Sequence, residues 1–500
     1  MAAVDVTTGR DIPADVQDFL DGAGVLVIDG EERAASGGAT FDTVDPASEE
    51  VLASIPQATE DDVDAAVQAA KRAHLDGRWR TLPAAKKARI LFKVGDAIQK
   101  QAESIAWVDM LDHGKPHKHA MGEMIAAANC FRYFAGWVDK VYGDTIPVRD
   151  GRFVYSTREP VGVCGQIIPW NFPFLMAAWK IAPALAFGNT VVLKPAEQTP
   201  LSALWLIRIL KECGVPDGVA NLVQGVGEVT GAALVAHPDV DKIAFTGSTE
   251  VGKMIMRSAA DNLHKVTLEL GGKSPNLIFP DAGDISRVAK KAAFACFYNA
   301  GEVCTAGTRL VVDRSIHDEV VEQVAKAADA TKVGPGWADD TAMGPLVSDE
   351  QLQRVKGYID IASGEGAELV AGGGQPEEYE KGFFLRPTVF DGVVTEMRIA
   401  QEEVFGPVLA IQSFDDEDEA IALANDVSFG LAAAVWTRDV GRAHRVAGAI
   451  KAGTVWVNTY GELDNPVSFG GFKQSGIGRE LGPHAVEAYT QVKSVWVATS

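Results

Sequence analysis

A cysteine in a glycine-flanked turn is the first feature of this chain that could do chemistry. The segment FYNAGEVCTAGTR (297–309) sets Cys304 between a helical and a strand pattern, where a thiol can face a cleft and act as a nucleophile. A lone cysteine can equally be a small buried hydrophobe, and its position alone leaves both readings open. Cys130, Cys164, Cys213 and Cys296 fall within helix or strand patterns and read as core. Cysteines without C-x-x-C spacing suggest neither a disulfide framework nor a zinc cluster, and no metal is expected.

The other side chains with chemical potential gather where apolar runs end. Between 163 and 272 the sequence alternates strand and helix, with VCGQIIP, TVVLKP, VANLVQG, KIAFTG and KVTLEL as the strands. Thr199 and Pro200 read as the N-cap and first residue of the helix LSALWLIRILKEC, which Gly214 closes. Apolar strands joined by crossover helices predict an α/β fold with a doubly wound parallel sheet, whose ligand lies outside the carboxyl ends of the strands. Those ends carry Trp170 and Asn171, Lys194 to Glu197, Gly225 and Gly227, Gly247 and Ser248, and Glu269 with Gly271 and Gly272. Turn chemistry explains glycines one at a time, but not Asn, Lys and two Glu together. Gly247 and Ser248 open a helix whose N-terminus can receive a pyrophosphate, without the usual G-x-G-x-x-G.

Around this region, residues 58–140 read as helices, with apolar residues three and four apart, and RFVYSTREPVGV (152–163) is β-prone. From 273 to 480 the strands PNLIF, RLVVDR, PVLAIQSF, AAAVWT and TVWVN predict a second α/β domain. The C-terminal stretch VKSVWVAT predicts a strand that pairs with a free sheet edge, one on another subunit included, hence a homo-oligomer, dimer or tetramer. A net charge of −22 repels nucleic-acid phosphates and anionic lipids. Residues 1–20 contain acids and no apolar core, and no run reaches about 18 apolar residues, so secretion and membrane spanning are disfavoured and a cytoplasmic location is expected.

Seven segments carry a resemblance. IIPWNFP (167–173), VVLKPAEQTP (191–200), FTGST (245–249), LELGGKSP (268–275), FYNAGEVCTAGTR, EEVFGPV (402–408) and FGGFKQSGIGRELG (469–482) resemble the NAD(P)-dependent aldehyde dehydrogenase superfamily over essentially the whole chain. The resemblance implies a Rossmann-like cofactor domain at 20–143 and 164–272, a catalytic domain at 273–483, and a small β oligomerisation element at 144–163 and 484–500. It also implies that Cys304 adds to an aldehyde, and that the thiohemiacetal loses hydride to NAD and becomes a thioester. Asn171 and the Cys304 backbone N–H would stabilise the oxyanion, and Glu269 would be the general base that activates water. Lys180 and Glu480 match positions that either relay protons to that base or form a structural ion pair.

For the cofactor, the resemblance points to Ile167, Pro169, Trp170, Lys194, Glu197, Gly227, Gly231, Phe245, Gly247, Ser248, Leu270, Gly271, Gln351, Arg354, Glu403 and Phe405. A carboxylate at Glu197 accepts hydrogen bonds from a free 2′-hydroxyl and repels a 2′-phosphate, which predicts NAD over NADP. By position the substrate funnel holds Phe172, Leu175, Met176, Trp179, Val303, Thr305, Leu463 and Phe469. With no added basic cluster, it suits uncharged aliphatic or aromatic aldehydes such as phenylacetaldehyde, while aromatic walls also suit betaine aldehyde. A CoA-acylating relative does not need a base at Glu269, and a thiol hydrolase needs a histidine, yet none of the nine histidines lies in these motifs. A non-catalytic binding protein on the same fold would be expected to lose Cys304 or Glu269.

Overall fold

The computed structural model describes residues 9–499, so the first eight residues of the N-terminal stretch and the last of the C-terminal one lie outside the described residues. Five strands, Val163–Ile167, Thr190–Lys194, Ala220–Leu222, Lys242–Thr246 and Lys265–Glu269, pair in parallel. Every residue of Val163–Ile167 and Thr190–Lys194 is buried, which is why they read as continuous apolar runs. The chain steps from Val163–Ile167 outward to Thr190–Lys194 and Ala220–Leu222, then returns to the other flank through Lys242–Thr246 and Lys265–Glu269. Crossovers leave in opposite directions from Val163–Ile167 and Lys242–Thr246, and at such a switch point the carboxyl ends of the strands are where sheets of this kind place their ligand crevice.

Both edges of this sheet escape the sequence pattern. The hairpin Leu26–Ile28 and Glu31–Arg33 adds on one side, and Gly476–Ile477, from far along the chain, pairs antiparallel with Lys265–Glu269 on the other. Helices Glu60–Leu75, Ala84–Lys100, Ala102–His113 and His117–Ala135 fill the expected helical region. The first is started by a capping box in which Thr59 and Asp62 satisfy each other's amides. One boundary needs correction: the helix runs Leu201–Glu212 with Pro200 as its N-cap, and Thr199 does not cap it. Asp112, on another helix, accepts from Leu201 N at 3.0 Å, and Thr199 Oγ1 instead donates to the Trp170 carbonyl at 3.2 Å. Gly214 lies just past the helix at φ 98°, as the sequence predicts.

The second sheet orders Glu368–Ala371, Thr388–Asp391, Val408–Phe414, Arg309–Asp313, Pro275–Ile278, Ala432–Trp436 and Thr454–Val457, all parallel except the first. The C-terminal strand Thr490–Ala498 does find an edge, but within its own chain, pairing antiparallel with Arg152–Pro160 along its full length. Its outer edge is unpaired among the described residues, and Val492 and Trp496 are each 60% exposed. Among the described residues, no helix is long and apolar enough to cross a membrane.

Candidate active site

The helix Ile285–Phe297 stops abruptly because Asn299 and Ala300 adopt left-handed backbone, φ 51° and 55°, with Gly301 next at 72°. A side chain at Gly301 would meet the Gly406 carbonyl at 2.2 Å, so this bend requires glycine. The bend delivers Cys304, half-buried, against the large apolar cluster that contains Met176, Trp179 and Phe469, on which Phe172 and Leu175 also pack. Burial pushes the Cys304 thiol up to about 12, and the Glu403 and Glu269 carboxylates add to it, while the Thr305 and Cys304 N–H groups oppose it. A thiol and two carboxylates from three separated segments therefore share one electrostatic neighbourhood.

Asn171, 5% exposed, stands just past Val163–Ile167 and donates from its side-chain amide to the Glu302 carbonyl at 2.8 Å. Among the described residues no second acceptor takes its other N–H. Glu269 ends its strand 4% exposed, and neither carboxylate oxygen has a hydrogen-bond partner. Burial first, then Glu480, holds the Glu269 carboxyl well above the usual carboxylate range, against Lys180 and Arg479. Lys180 donates to Glu480 and to Thr246 Oγ1 at 2.7 Å, forming a buried ion pair behind Glu269. A side chain at Gly470 would approach Glu269 Oε1 to 2.7 Å, so Gly470 makes room for the carboxyl.

Along the crevice, Lys194 Nζ pairs with Glu197 at 3.0 Å, and Gly231 lies beside Ile167 and Lys194. A side chain added at Gly227 would meet open space, and one at Gly247 would strike the Phe245 ring at 2.5 Å. Ser248 caps Thr249–Asn262 by accepting from Val251 N at 3.2 Å. Pro169 is half-buried, and Leu270 packs under Gly252 of that helix. On the other wall Glu403 accepts from Gly272 N at 2.8 Å and lies so close to Gly271 that a Cβ there would clash at 2.1 Å. Trp170 meets Phe405 edge-on at 5.1 Å. Gln351 and Arg354 are committed to backbone: Gln351 donates to the Phe405 carbonyl at 2.6 Å and Arg354 to that of Glu403 at 2.9 Å.

Among the funnel residues, Trp179 and Phe469 form an edge-to-face pair at 5.4 Å, Val303 is half-buried, and Thr305 is buried. Leu463, on the loop that leads to Phe469, is 48% exposed. Four neighbours escape the sequence reading. Tyr298 stacks on Phe172 at 6.5 Å, Tyr460 donates to the Thr305 carbonyl at 2.6 Å, the Glu302 carbonyl receives Asn171, and Lys115 donates to the Asn171 carbonyl at 2.9 Å. The dense ionisable run DHGKPHKH (112–119) inside an apolar helical region was a usable signal for the last of these.

An α/β fold that gathers a half-buried thiol, an unpartnered carboxyl and an amide with one N–H to spare at its strand ends describes an enzyme with a covalent nucleophile. The profile of the aldehyde dehydrogenase family matches residues 33–495, and the chain belongs to this family of oxidoreductases. An aldehyde dehydrogenase of Aspergillus niger is 49% identical, covering 94% of this chain and 94% of its own. The NAD+ complex structure of the aldehyde dehydrogenase from Bacillus cereus is similar at TM-score 0.96 and 47% identity, over 98% of this chain and 99% of that one. Betaine aldehyde dehydrogenase of Staphylococcus aureus in complex with NAD+ is similar at TM-score 0.95 and 39% identity, over 98% and 97%.

Proposed function

We propose that this enzyme oxidises an apolar aldehyde to its carboxylic acid with NAD, through a thioester on Cys304. The observation that carries this is the Glu269 carboxyl, buried without a partner for either oxygen and acting electrostatically on the Cys304 thiol. The crevice suits a dinucleotide: glycine at 227 leaves the approach open, the Ser248-capped helix offers unsatisfied N–H groups, and Glu197 remains partly exposed. Lys194 and Glu197 would hold the adenosine ribose, Gly247 and Ser248 the pyrophosphate, and Glu403, Phe405 and Trp170 the nicotinamide side. Glu197 favours a free 2′-hydroxyl, hence NAD over NADP. NAD, when bound, supplies the hydride acceptor.

The chain's own residues do the rest. The Cys304 thiol gives its proton to solvent as Sγ bonds to the aldehyde carbon, and the Asn171 amide and the Cys304 N–H stabilise the oxyanion that forms. Collapse of that oxyanion expels hydride and leaves a thioester. Glu269 then takes a proton from water, whose oxygen attacks the thioester carbon and releases the acid and the Cys304 thiolate, which regains its proton from solvent. The Lys180 and Glu480 pair relays the proton onward from Glu269.

Trp179, Phe469, Phe172 and Tyr298 give the funnel aromatic walls, which favour phenylacetaldehyde-like substrates. A quaternary ammonium aldehyde is the second reading, supported by the same walls and by the likeness to betaine aldehyde dehydrogenase. The first sheet, with the helical region at 20–143, serves as the cofactor domain, 273–483 as the catalytic domain, and the exposed face of Thr490–Ala498 as a contact between subunits of a dimer or tetramer. One experiment tests the core: acid-quench a reaction with aldehyde and NAD and sequence the peptide that carries the acyl group. Mass added at Cys304 supports the reading; an unmodified Cys304 under conditions that give a burst of NADH refutes it. A panel of phenylacetaldehyde, hexanal and betaine aldehyde with NAD and with NADP ranks the substrates.

A further inference from the structure

Behind the crevice lies a buried ionic cluster that this mechanism does not use. Lys115 is fully buried where the chain turns from Ala102–His113 into His117–Ala135. Its Nζ lies 2.8 Å from both oxygens of Glu123, 3.7 Å from Asp109 and 4.7 Å over the Phe172 ring. Its remaining reach goes to the Asn171 carbonyl at 2.9 Å. Asn299 donates to that same carbonyl at 3.2 Å, and lies 3.4 Å from the Glu302 carbonyl that receives the Asn171 amide. Asn171 is therefore gripped at both ends: its backbone oxygen by Lys115 and Asn299, and one side-chain N–H by Glu302.

Stability alone does not ask for a cation here. A buried ion pair is often no better than apolar residues of the same volume, and Asn299 already supplies a neutral donor to the carbonyl. What an ammonium adds is a stronger, charge-assisted bond that holds the peptide after Asn171 against rotation. Rotation of that peptide would swing the free side-chain N–H of Asn171 away from the reacting carbon, and an oxyanion donor acts only within a few tenths of an ångström of its place. We propose that Lys115 is a positioning residue for the oxyanion: it fixes the Asn171 peptide so that the second amide N–H stays aimed at the developing charge. The proposal rests on the reading of Asn171 as oxyanion donor.

The test is a double-mutant cycle on the rate of the pre-steady-state NADH burst. Lys115→Met should slow the burst about tenfold with the Asn171 side chain present. In an Asn171→Ala background the same substitution should change the rate by less than about twofold, since the group it positions is gone. Binding of NAD by fluorescence titration and KM for aldehyde should be unchanged in Lys115→Met, a split that general loosening of the fold would not give. An equal loss in both backgrounds, or none in either, overturns the proposal. Asn171→Ala alone tests the underlying reading separately, because a burst of normal rate there refutes the oxyanion role whatever Lys115 does. Lys115→Met strands the Glu123 and Asp109 carboxyls, so the cycle is run in parallel with Lys115→Met/Glu123→Leu, which removes the pair together, and with Glu123→Gln, which keeps the shape and loosens the ammonium. Coupling to Asn171 in whichever of these fold is the expected result, and additivity in them overturns the proposal.

Discussion

Glu269→Gln separates two halves of the reaction. Neither oxygen of this carboxyl accepts a hydrogen bond, so the amide breaks none, and the fold should survive. Acylation uses the Cys304 thiol and the Asn171 amide, and should still deliver a burst of about one NADH per site. Hydrolysis of the thioester loses its base, which is worth about 10²- to 10⁴-fold, or about 3–5 kcal/mol of barrier. Because burial and Glu480 hold the carboxyl well above the usual range, wild-type turnover should rise with pH as Glu269 ionises, and the variant's residual turnover should lack that rise. Stability carries the same signature. The folded enzyme binds this proton more tightly than the unfolded chain, so the stabilising contribution is complete below the unfolded carboxyl pKa of about 4.3 and fades as pH rises through the folded value. Glu269→Gln should therefore melt higher than wild type at alkaline pH, with the difference closing on acidification. Stopped-flow absorbance at 340 nm and calorimetry across pH read both effects. Full steady-state turnover in the variant, or no burst from a folded variant, refutes the general-base assignment.

The site carries three further predictions. Glu197→Gln should raise kcat/KM for NADP relative to NAD, by removing the repulsion of a 2′-phosphate; an unchanged ratio sinks the assignment. With the Cys304 thiol pushed up to about 12, its alkylation by iodoacetamide should accelerate steadily between about pH 7 and 10, and NAD, whose nicotinamide is cationic, should speed it by offsetting the Glu403 and Glu269 carboxylates. A rate that is flat in pH and indifferent to NAD contradicts that electrostatic picture. Trp496→Glu with Val492→Glu on the exposed face of Thr490–Ala498 should lower the mass found by sedimentation to that of a smaller assembly, and unaltered mass removes that face from the subunit contact.

The strand ends were legible because a strand buried on both faces is an apolar run, and its end must open into a turn, where Asn171, Lys194, Ser248 and Glu269 are conspicuous. The edges were not. Leu26–Ile28 and Gly476–Ile477 are too short for a period to show, and they are strands only because a sheet edge already formed elsewhere accepts them. The Thr199 boundary failed for a related reason: the cap that matters comes from Asp112, 89 residues away, which no local signal reports. Lys115 left only the ionisable run DHGKPHKH as a signal, and what it holds shows once Glu123, Asp109 and Asn171 are seen around it.

The two loops that bracket the thiol both depend on backbone that non-glycine residues avoid. Asn299 and Ala300 on one loop and Phe405 on the other are left-handed, at a cost of about 1–3 kcal/mol each. Both loops are tied to other segments: Gln351 grips the Phe405 carbonyl, Arg354 that of Glu403, and Asn299 reaches back to Asn171. The loops also touch, because Gly301 packs on the Gly406 carbonyl where no side chain fits. The thiol loop and the Glu403–Phe405 loop therefore form one braced unit. Gln351 and Arg354, which the resemblance assigned to the cofactor, spend these donors on the carbonyls of Phe405 and Glu403, so substitution of either should loosen that loop.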